Sequence, residues 1–311
     1  MSANAAWPSL SLADWSDTRD TLHMWTQIVG KTRLALAPMV NHWWQVPLYI
    51  SARGLTTSWI PYGESGFSVE FDFIDHALVV QHDDGRAWNM ALAPRSVADF
   101  FGSYMEGLRS LGIDVRIWPV PVELATPIPF AQDETHKTYA AAAAHDFWRA
   151  LSQASRVLGI FRGRFIGKSS PVHFFWGSFD LACTRFNGLR APVHPGGVPG
   201  LADWATREAY SHACISAGWW PGAMGSPIEE AVFYAYAYPE PVGCPTAKIR
   251  PAAGRYHDAM HEWVLPYEAV RSSAHPDVDA LDFFQSTYEA AASLGGWDRP
   301  SLERANDARV K

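Results

Sequence analysis

This chain of 311 residues has no run of Lys or Arg, and its formal net charge is -7. Nucleic acid and anionic membranes both require a basic face, so neither is expected as a partner. No apolar stretch reaches the roughly 18 residues that a membrane span needs. The N-terminus has no basic region followed by an apolar core, so no secretory signal is read there. The expectation is a soluble, cytoplasmic protein. Cysteine is scarce: Cys183, Cys214 and Cys244 make an odd number without a CxxC pair. That excludes a disulfide framework and a zinc knuckle. The nucleotide-binding devices are missing too. There is no GxGxxG after a strand and no GxxxxGK[ST], and Gly30-Lys31 and Gly167-Lys168 lack the upstream glycine of a P-loop. No GxSxG elbow occurs. No nucleotide cofactor is expected, and no motif names a reaction.

Aromatic side chains are abundant instead: 15 Trp, 16 Phe and 11 Tyr. Large rings dominate the energetics of cores and pockets. With 48% hydrophobic and 18% charged residues, the chain has enough apolar surface for a large core. The second feature is internal similarity. Asp99, Phe100, Phe101, Ser103, Glu106, Leu111 and Gly112 recur with the same spacing as Asp282, Phe283, Phe284, Ser286, Glu289, Leu294 and Gly295. Earlier in each half, Gly30-Lys31 precedes His42-Trp43-Trp44, and Gly167-Lys168 precedes His173-Phe174-Phe175. The expected architecture is α+β and internally duplicated, two helix–antiparallel-strands–helix halves packed as one compact unit. Residues 1–118 form the first half, 119–135 a Pro-rich linker, and 136–311 the second half. The seam between the halves is the expected ligand site.

Periodicity predicts a helix over 17–36, from Leu22, Trp25, Ile28, Val29 and Leu36. Strands are expected over 42–53, 67–73 and 113–118. A hairpin is expected over 76–82 and 86–92, closed by a type I′ turn at Asp84-Gly85. Ser96 opens a helix that Gly112 ends. In the second half, helices are expected near 138–162 and 278–293, and strands near 172–186 and 230–238. Residues 187–228 read as a long insertion, with a helix at 201–213, that roofs a pocket.

The runs His173-Phe174-Phe175-Trp176-Gly177-Ser178-Phe179-Asp180-Leu181, Tyr210-Ser211-His212 with Gly218-Trp219-Trp220-Pro221-Gly222, and Phe233-Tyr234-Ala235-Tyr236-Ala237-Tyr238-Pro239 resemble a family of bacterial proteins of unknown function. Leu22-His23-Met24-Trp25 and Asn41-His42-Trp43-Trp44 belong to the same resemblance. It implies a bacterial, single-unit protein and supplies no catalytic roles.

The chemistry is read from the residues. A strand through His42 places Gln45, Tyr49 and Arg53 on its polar face, and a strand through His173 places Trp176, Ser178 and Asp180 together. Tyr234, Tyr236 and Tyr238 share a face of a later strand. His173 or His212 is the candidate general acid/base, with Asp180 or Glu208 as the orienting carboxylate. Arg53 or Arg185 is the candidate anion clamp. Gln45, Tyr49, Trp176, Trp219, Trp220 and Tyr236 are the candidate substrate contacts. Glu208 and His212, four apart on the expected insertion helix, form a weaker alternative as a divalent-metal pair. These readings converge on an enzyme acting on a small aromatic or amphipathic organic molecule in an aromatic-lined pocket. The alternative is a non-catalytic binding or sensor protein using the same pocket.

Overall fold

The computed structural model describes residues 6–304. The first helix, α1 (Leu12–Leu36), begins ahead of the expected residue 17 and is buried on nearly every side. Leu22, Trp25, Ile28 and Val29 point into the core, and so do His23, Gln27 and Lys31. Helix α1 stops before Pro38, because the residue preceding a proline is driven out of helical conformation.

The first sheet follows. Its strands are β1 (Tyr49–Ile50), β2 (Gly54–Thr56), β3 (Ile60–Tyr62), β4 (Ser65–Asp72), β5 (Ala77–His82) and β6 (Ala87–Ala91). They pair antiparallel in the order β1-β2-β4-β5-β6, with β3 also on β4. Alternation puts Phe67, Val69 and Phe71 inside, against α2 (Val97–Ser110). The Phe71 and Phe100 rings stack 6.4 Å apart, and Phe100 stacks on Trp25 at 4.6 Å. Ser96 caps α2 by accepting the Asp99 amide at 3.1 Å, and Gly112 takes the left-handed conformation (φ 81°) that ends it.

The second sheet is built from β7 (His173–Phe175), β8 (Asp180–Arg190), β9 (His212–Trp220), β10 (Val232–Tyr238), β11 (Arg255–His257) and β12 (Glu262–Pro266). Its order is β11-β12-β10-β9-β8-β7, again antiparallel. Helices α3 (Ala141–Gly163) and α6 (Pro276–Leu294) cover one face. Phe147 of α3 meets Trp219, and Phe284 of α6 meets Phe233. Short helices α4 (Asp203–Ala209), α5 (Tyr267–Arg271) and α7 (Arg299–Leu302) complete the α+β fold. The two sheets join edge to edge at one buried residue pair. Leu48 and Phe174 each donate an amide to the other's carbonyl at 2.9 Å.

Five local expectations are corrected. Residues 42–53 are not one strand: His42 and Trp43 have φ of 61° and 63° inside a 3-10 turn, which removes the strand alternation. Residues 172–186 are two strands, because Phe179 (φ 63°) completes a turn that reverses the chain between β7 and β8. Residues 113–118 have no ladder partner and run as irregular chain. The Asp84-Gly85 turn is a three-residue loop with only Gly85 left-handed (φ 90°), not a type I′ turn. Residues 187–228 are not a roof: they finish β8, form α4, and then supply β9, a central strand.

Candidate functional site

The register of the second sheet places one set of side chains opposite the helices. Ala182, Gly218 and Tyr234 stand in one row across β8, β9 and β10, and Thr184, Ser216 and Tyr236 in the next. Asp180 lies on the same face, as do His173 and Phe175, paired with Ala182 and Asp180. The turn at Phe179 therefore puts His173 and Asp180 on one face, on the order of 8 Å apart by strand geometry. The middle of this face carries only Ala182, Thr184, Ser216 and Gly218. It is a floor of small residues ringed by tyrosine, histidine and carboxylate. A Cβ on Gly218 would lie 2.4 Å from the Tyr234 hydroxyl and 2.0 Å from the Leu181 carbonyl, so only glycine fits.

At one end of the floor is a set of carboxyl groups. Asp180 is 7% exposed and accepts from the Tyr234 and Ser178 hydroxyls. Burial pushes its pKa up to about 6 against those two hydrogen bonds. Glu123, on the loop after α2, is pushed up to about 7 by burial and by repulsion from Asp180. Glu262 of β12 rises to about 7 for the same two reasons. A Cβ on Gly177 would lie 2.0 Å from a Glu123 carboxylate oxygen, so that carboxylate rests on the turn leading to Asp180. The position of Glu123 is set from α1. Gln27 bonds both backbone groups of Val122, at 2.8 and 2.9 Å, and His23 Nε2 meets the Gly177 carbonyl at 2.8 Å. Lys31 continues this stripe at the same spacing. It is 3% exposed, its Nζ lies 5.5 Å from the Trp176 ring centre, and burial lowers its pKa to about 8 while Glu123 opposes.

At the other end are imidazoles and cations. His173 is 1% exposed, and neither ring nitrogen has a hydrogen-bond partner among the described residues. Burial, then Arg33 and Arg162, lowers its pKa to about 3. Arg33 gives Nε to the Gln45 carbonyl at 2.6 Å and lies over the Tyr49 ring at 5.3 Å. Its buried Nη1 is also unpartnered. Leaving a buried polar group unpaired costs about 1–3 kcal/mol, and three such atoms belong to this one pair of residues. Trp44 edges onto His173 at 5.8 Å and packs beside His42 at 5.3 Å, linking this position to a second group. There, His42 Nδ1 meets the Ala209 carbonyl at 3.0 Å and Nε2 meets Lys168 Nζ at 3.0 Å. The His212 ring lies 5.7 Å from His42, and Glu208 accepts the His42 amide at 3.3 Å.

The family model described as "Family of unknown function (DUF5996)" matches residues 7–304. The chain belongs to this family. No curated protein and no solved structure matches it. The chemistry of this DUF5996 chain therefore has to be read from its own geometry.

The structure gathers His173, Tyr49, His212, Glu208, Asp180, Trp220 and Tyr236 at this face or its rim. Tyr236 shares a hydroxyl contact of 2.7 Å with Tyr210, and Trp220 gives Nε1 to the Ser178 carbonyl at 3.1 Å. Other candidates stand elsewhere. Arg53 is on the outer face of the first sheet, paired with Asp72 at 2.5 Å and Asp75 at 2.6 Å. Arg185 is fully buried under the helices, 3.4 Å from the Phe161 ring centre, because its strand parity points it away from the polar face. Trp219 faces the core by the same parity. Gln45 is spent on loop 39–40, where it accepts the Val40 amide at 3.0 Å. Trp176 anchors the seam through the Val46 carbonyl at 2.9 Å. Glu208 and His212 are not on one helix: α4 ends before His212, which opens β9. No group of three or more His, Cys, Asp or Glu is placed to hold a metal among the described residues. No helix among them is long and apolar enough to cross a membrane. Lys31, Arg33, Glu123 and Glu262 were missed. For Lys31 the signal is present, as His23, Gln27 and Lys31 recur every four residues along the apolar stripe of Leu22, Trp25, Ile28 and Val29.

Proposed function

We propose that the chain is an acid–base enzyme that takes a small amphipathic organic molecule with an anionic group onto the polar face of the second sheet. The observation that carries this reading is the trio of buried, unpartnered atoms, both His173 ring nitrogens and Arg33 Nη1. An anionic oxygen there would accept from Arg33 and from a protonated His173, relieving the desolvation that holds His173 near a pKa of 3. The apolar part of the molecule would lie over Ala182, walled by Phe175, Tyr236 and the Tyr234 ring that covers Gly218. Asp180, titrating near 6 and bonded to Tyr234, is suited to exchange a proton close to neutral pH. No nucleotide is invoked.

Phenylacetate is the probe for the binding half. Calorimetry is expected to find it bound by the parent protein and at least tenfold weaker in His173→Ala. The catalytic half is read by incubating the protein with a metabolite extract and following losses by mass spectrometry, with Asp180→Asn as control. A non-catalytic binding protein is the second reading, favoured because Cys183, Cys214 and Cys244 are all buried and offer no exposed thiol nucleophile. Binding without turnover would select it. If His173→Ala leaves phenylacetate affinity unchanged, both readings of this face fall.

A further inference from the structure

Lys31 has no role in holding the fold together that its contacts disclose. It is 3% exposed, yet its Nζ makes no hydrogen bond or ion pair among the described residues. Its neighbours are the face of the Trp176 indole and, across a gap, the Glu123 carboxyl. Structural lysines normally keep the ammonium in water or pair it. The two preceding members of the stripe, His23 and Gln27, do have structural work, since they clasp the Gly177 and Val122 backbones. Those clasps fix the turn carrying Trp176 and the loop carrying Glu123, the two elements facing Nζ. The positioning is tight: Gly30 leaves no room for a Cβ against Trp176, and Gly177 leaves none against Glu123. Glu123 itself is half-buried.

We propose that Lys31 is a nucleophilic amine that condenses with the carbonyl carbon of a small aldehyde or ketone, with Glu123 as the acid that releases water. The proposal rests on the reading of the second-sheet face as an active site, and it makes the substrate a carbonyl compound that also carries the anionic group. Neutral Nζ attacks the carbonyl carbon and a C–N bond forms. One Nζ proton passes to the former carbonyl oxygen. The Glu123 carboxylic acid gives that oxygen a second proton, and it leaves as water. The product is a protonated imine, keeping one N–H, beside the Glu123 carboxylate. Burial lowers Lys31 to about 8 and raises Glu123 to about 7, so near neutral pH the ammonium–carboxylate state prevails, and the neutral amine with the carboxylic acid is a minority form reached by moving one proton between them. The indole face steadies the cationic imine.

Two probes test this with the whole protein. Formaldehyde with dimethylamine–borane at pH 7.5 needs no recognition. Lys31 is expected to be methylated ahead of Lys137, Lys168 and Lys248, as read by peptide mass spectrometry. Phenylpyruvate with cyanoborohydride is expected to leave a reduced secondary-amine adduct on Lys31, absent in Lys31→Arg. Glu123→Gln is expected to slow adduct formation about tenfold or more, with melting curves confirming that both variants fold. If Lys31 is methylated last and takes up no phenylpyruvate, the amine is no nucleophile and the proposal is overturned. Phenylacetate binding surviving that result would leave the reading of the face intact. Rapid methylation without a phenylpyruvate adduct would keep the nucleophile but overturn the anionic-carbonyl substrate. An unchanged rate in Glu123→Gln would remove Glu123 as the acid.

Discussion

The two sheets have the same antiparallel build but treat their polar faces in opposite ways. On the first sheet, Arg53 pairs with Asp72 and Asp75, and Ser51 bonds Glu70. Every one of these polar groups has a partner, Arg53 is partly exposed and Asp75 stands largely in solvent. At the second sheet, His173 and Arg33 hold buried unpartnered nitrogens, and Asp180, Glu123 and Glu262 are crowded out of water. The first arrangement is how a solvated sheet face settles. The second stores unfavourable free energy, which a protein sustains where the groups are needed for chemistry. The pKa directions express the same contrast. Burial acts against Asp72 too, but the hydrogen bond from Arg53 and the Ile74 and Asp75 amides hold it below the usual carboxylate range. Asp180 has two hydroxyl donors and no cation, and burial wins.

The largest effect that would break the comparison is on turnover. Asp180→Asn is expected to lower the rate on a found substrate by roughly 100- to 10,000-fold while leaving phenylacetate binding nearly intact. Asp72→Asn should leave the rate within about twofold, by the same assay. Equal losses from the two would mean that the second sheet is no more functional than the first. Next in size is proton-linked binding. An anion at His173 should raise its pKa from about 3, so phenylacetate should bind more tightly as pH falls from 7 to 5, with proton uptake. Calorimetry in buffers of different ionisation enthalpy reads the uptake directly, and His173→Ala should abolish it.

Much of this contrast was legible before the fold was known, and the rest was hidden for identifiable reasons. Strand β4 was readable because Phe67, Val69 and Phe71 alternate cleanly with polar residues, and α2 because Ser96 and Gly112 bracket its apolar stripe. His173, Asp180 and Tyr236 come to one face of the second sheet. An unbroken strand would set His173 and Asp180 on opposite faces, and the left-handed Phe179 that brings them together has no signature in a residue pattern. Strand β9 reads in sequence as part of a roof because the loops around it are long and rich in Gly and Pro. Only the ladder to β8 and β10 reveals that Trp219 belongs to the core. Glu123 was invisible, since its site depends on Gln27 reaching across 95 positions in the chain.

Stability gives a smaller effect with opposite signs on the two sheets. Glu262 has a folded pKa raised to about 7, so its charged form is disfavoured in the native state. That penalty is present above pH 7 and is relieved as pH falls toward the ordinary carboxylate range. Glu262→Gln is therefore expected to stabilise the protein at pH 8, by about 1–2 kcal/mol. Asp72 has a lowered folded pKa. Its contribution is present at neutral pH and is lost as pH falls below the usual carboxylate range, so Asp72→Asn should destabilise at pH 8, by about 1 kcal/mol. In the parent, stability should rise from pH 8 to 6.5 as Glu123, Glu262 and Asp180 take up protons. Below the ordinary imidazole value, His23 and His173, both lowered to about 3, oppose that rise because only the unfolded chain protonates them. Urea unfolding across this range measures all three statements.

The smallest effect sharpens the comparison from the side of the first sheet. Arg53 is 43% exposed in its side chain and shares its charge between Asp72 and Asp75. Exposed pairs are worth about 0–1 kcal/mol and are screened by salt. Arg53→Ala should therefore lower the urea midpoint only slightly in low salt, and less in 1 M salt. Arg33→Ala is the matched change at the second-sheet face, and its effect on phenylacetate affinity should persist in high salt because the donor is buried. If affinity in Arg33→Ala loses its defect as salt is added, Arg33 is acting as one more surface charge, and the two faces differ less than their hydrogen bonds indicate.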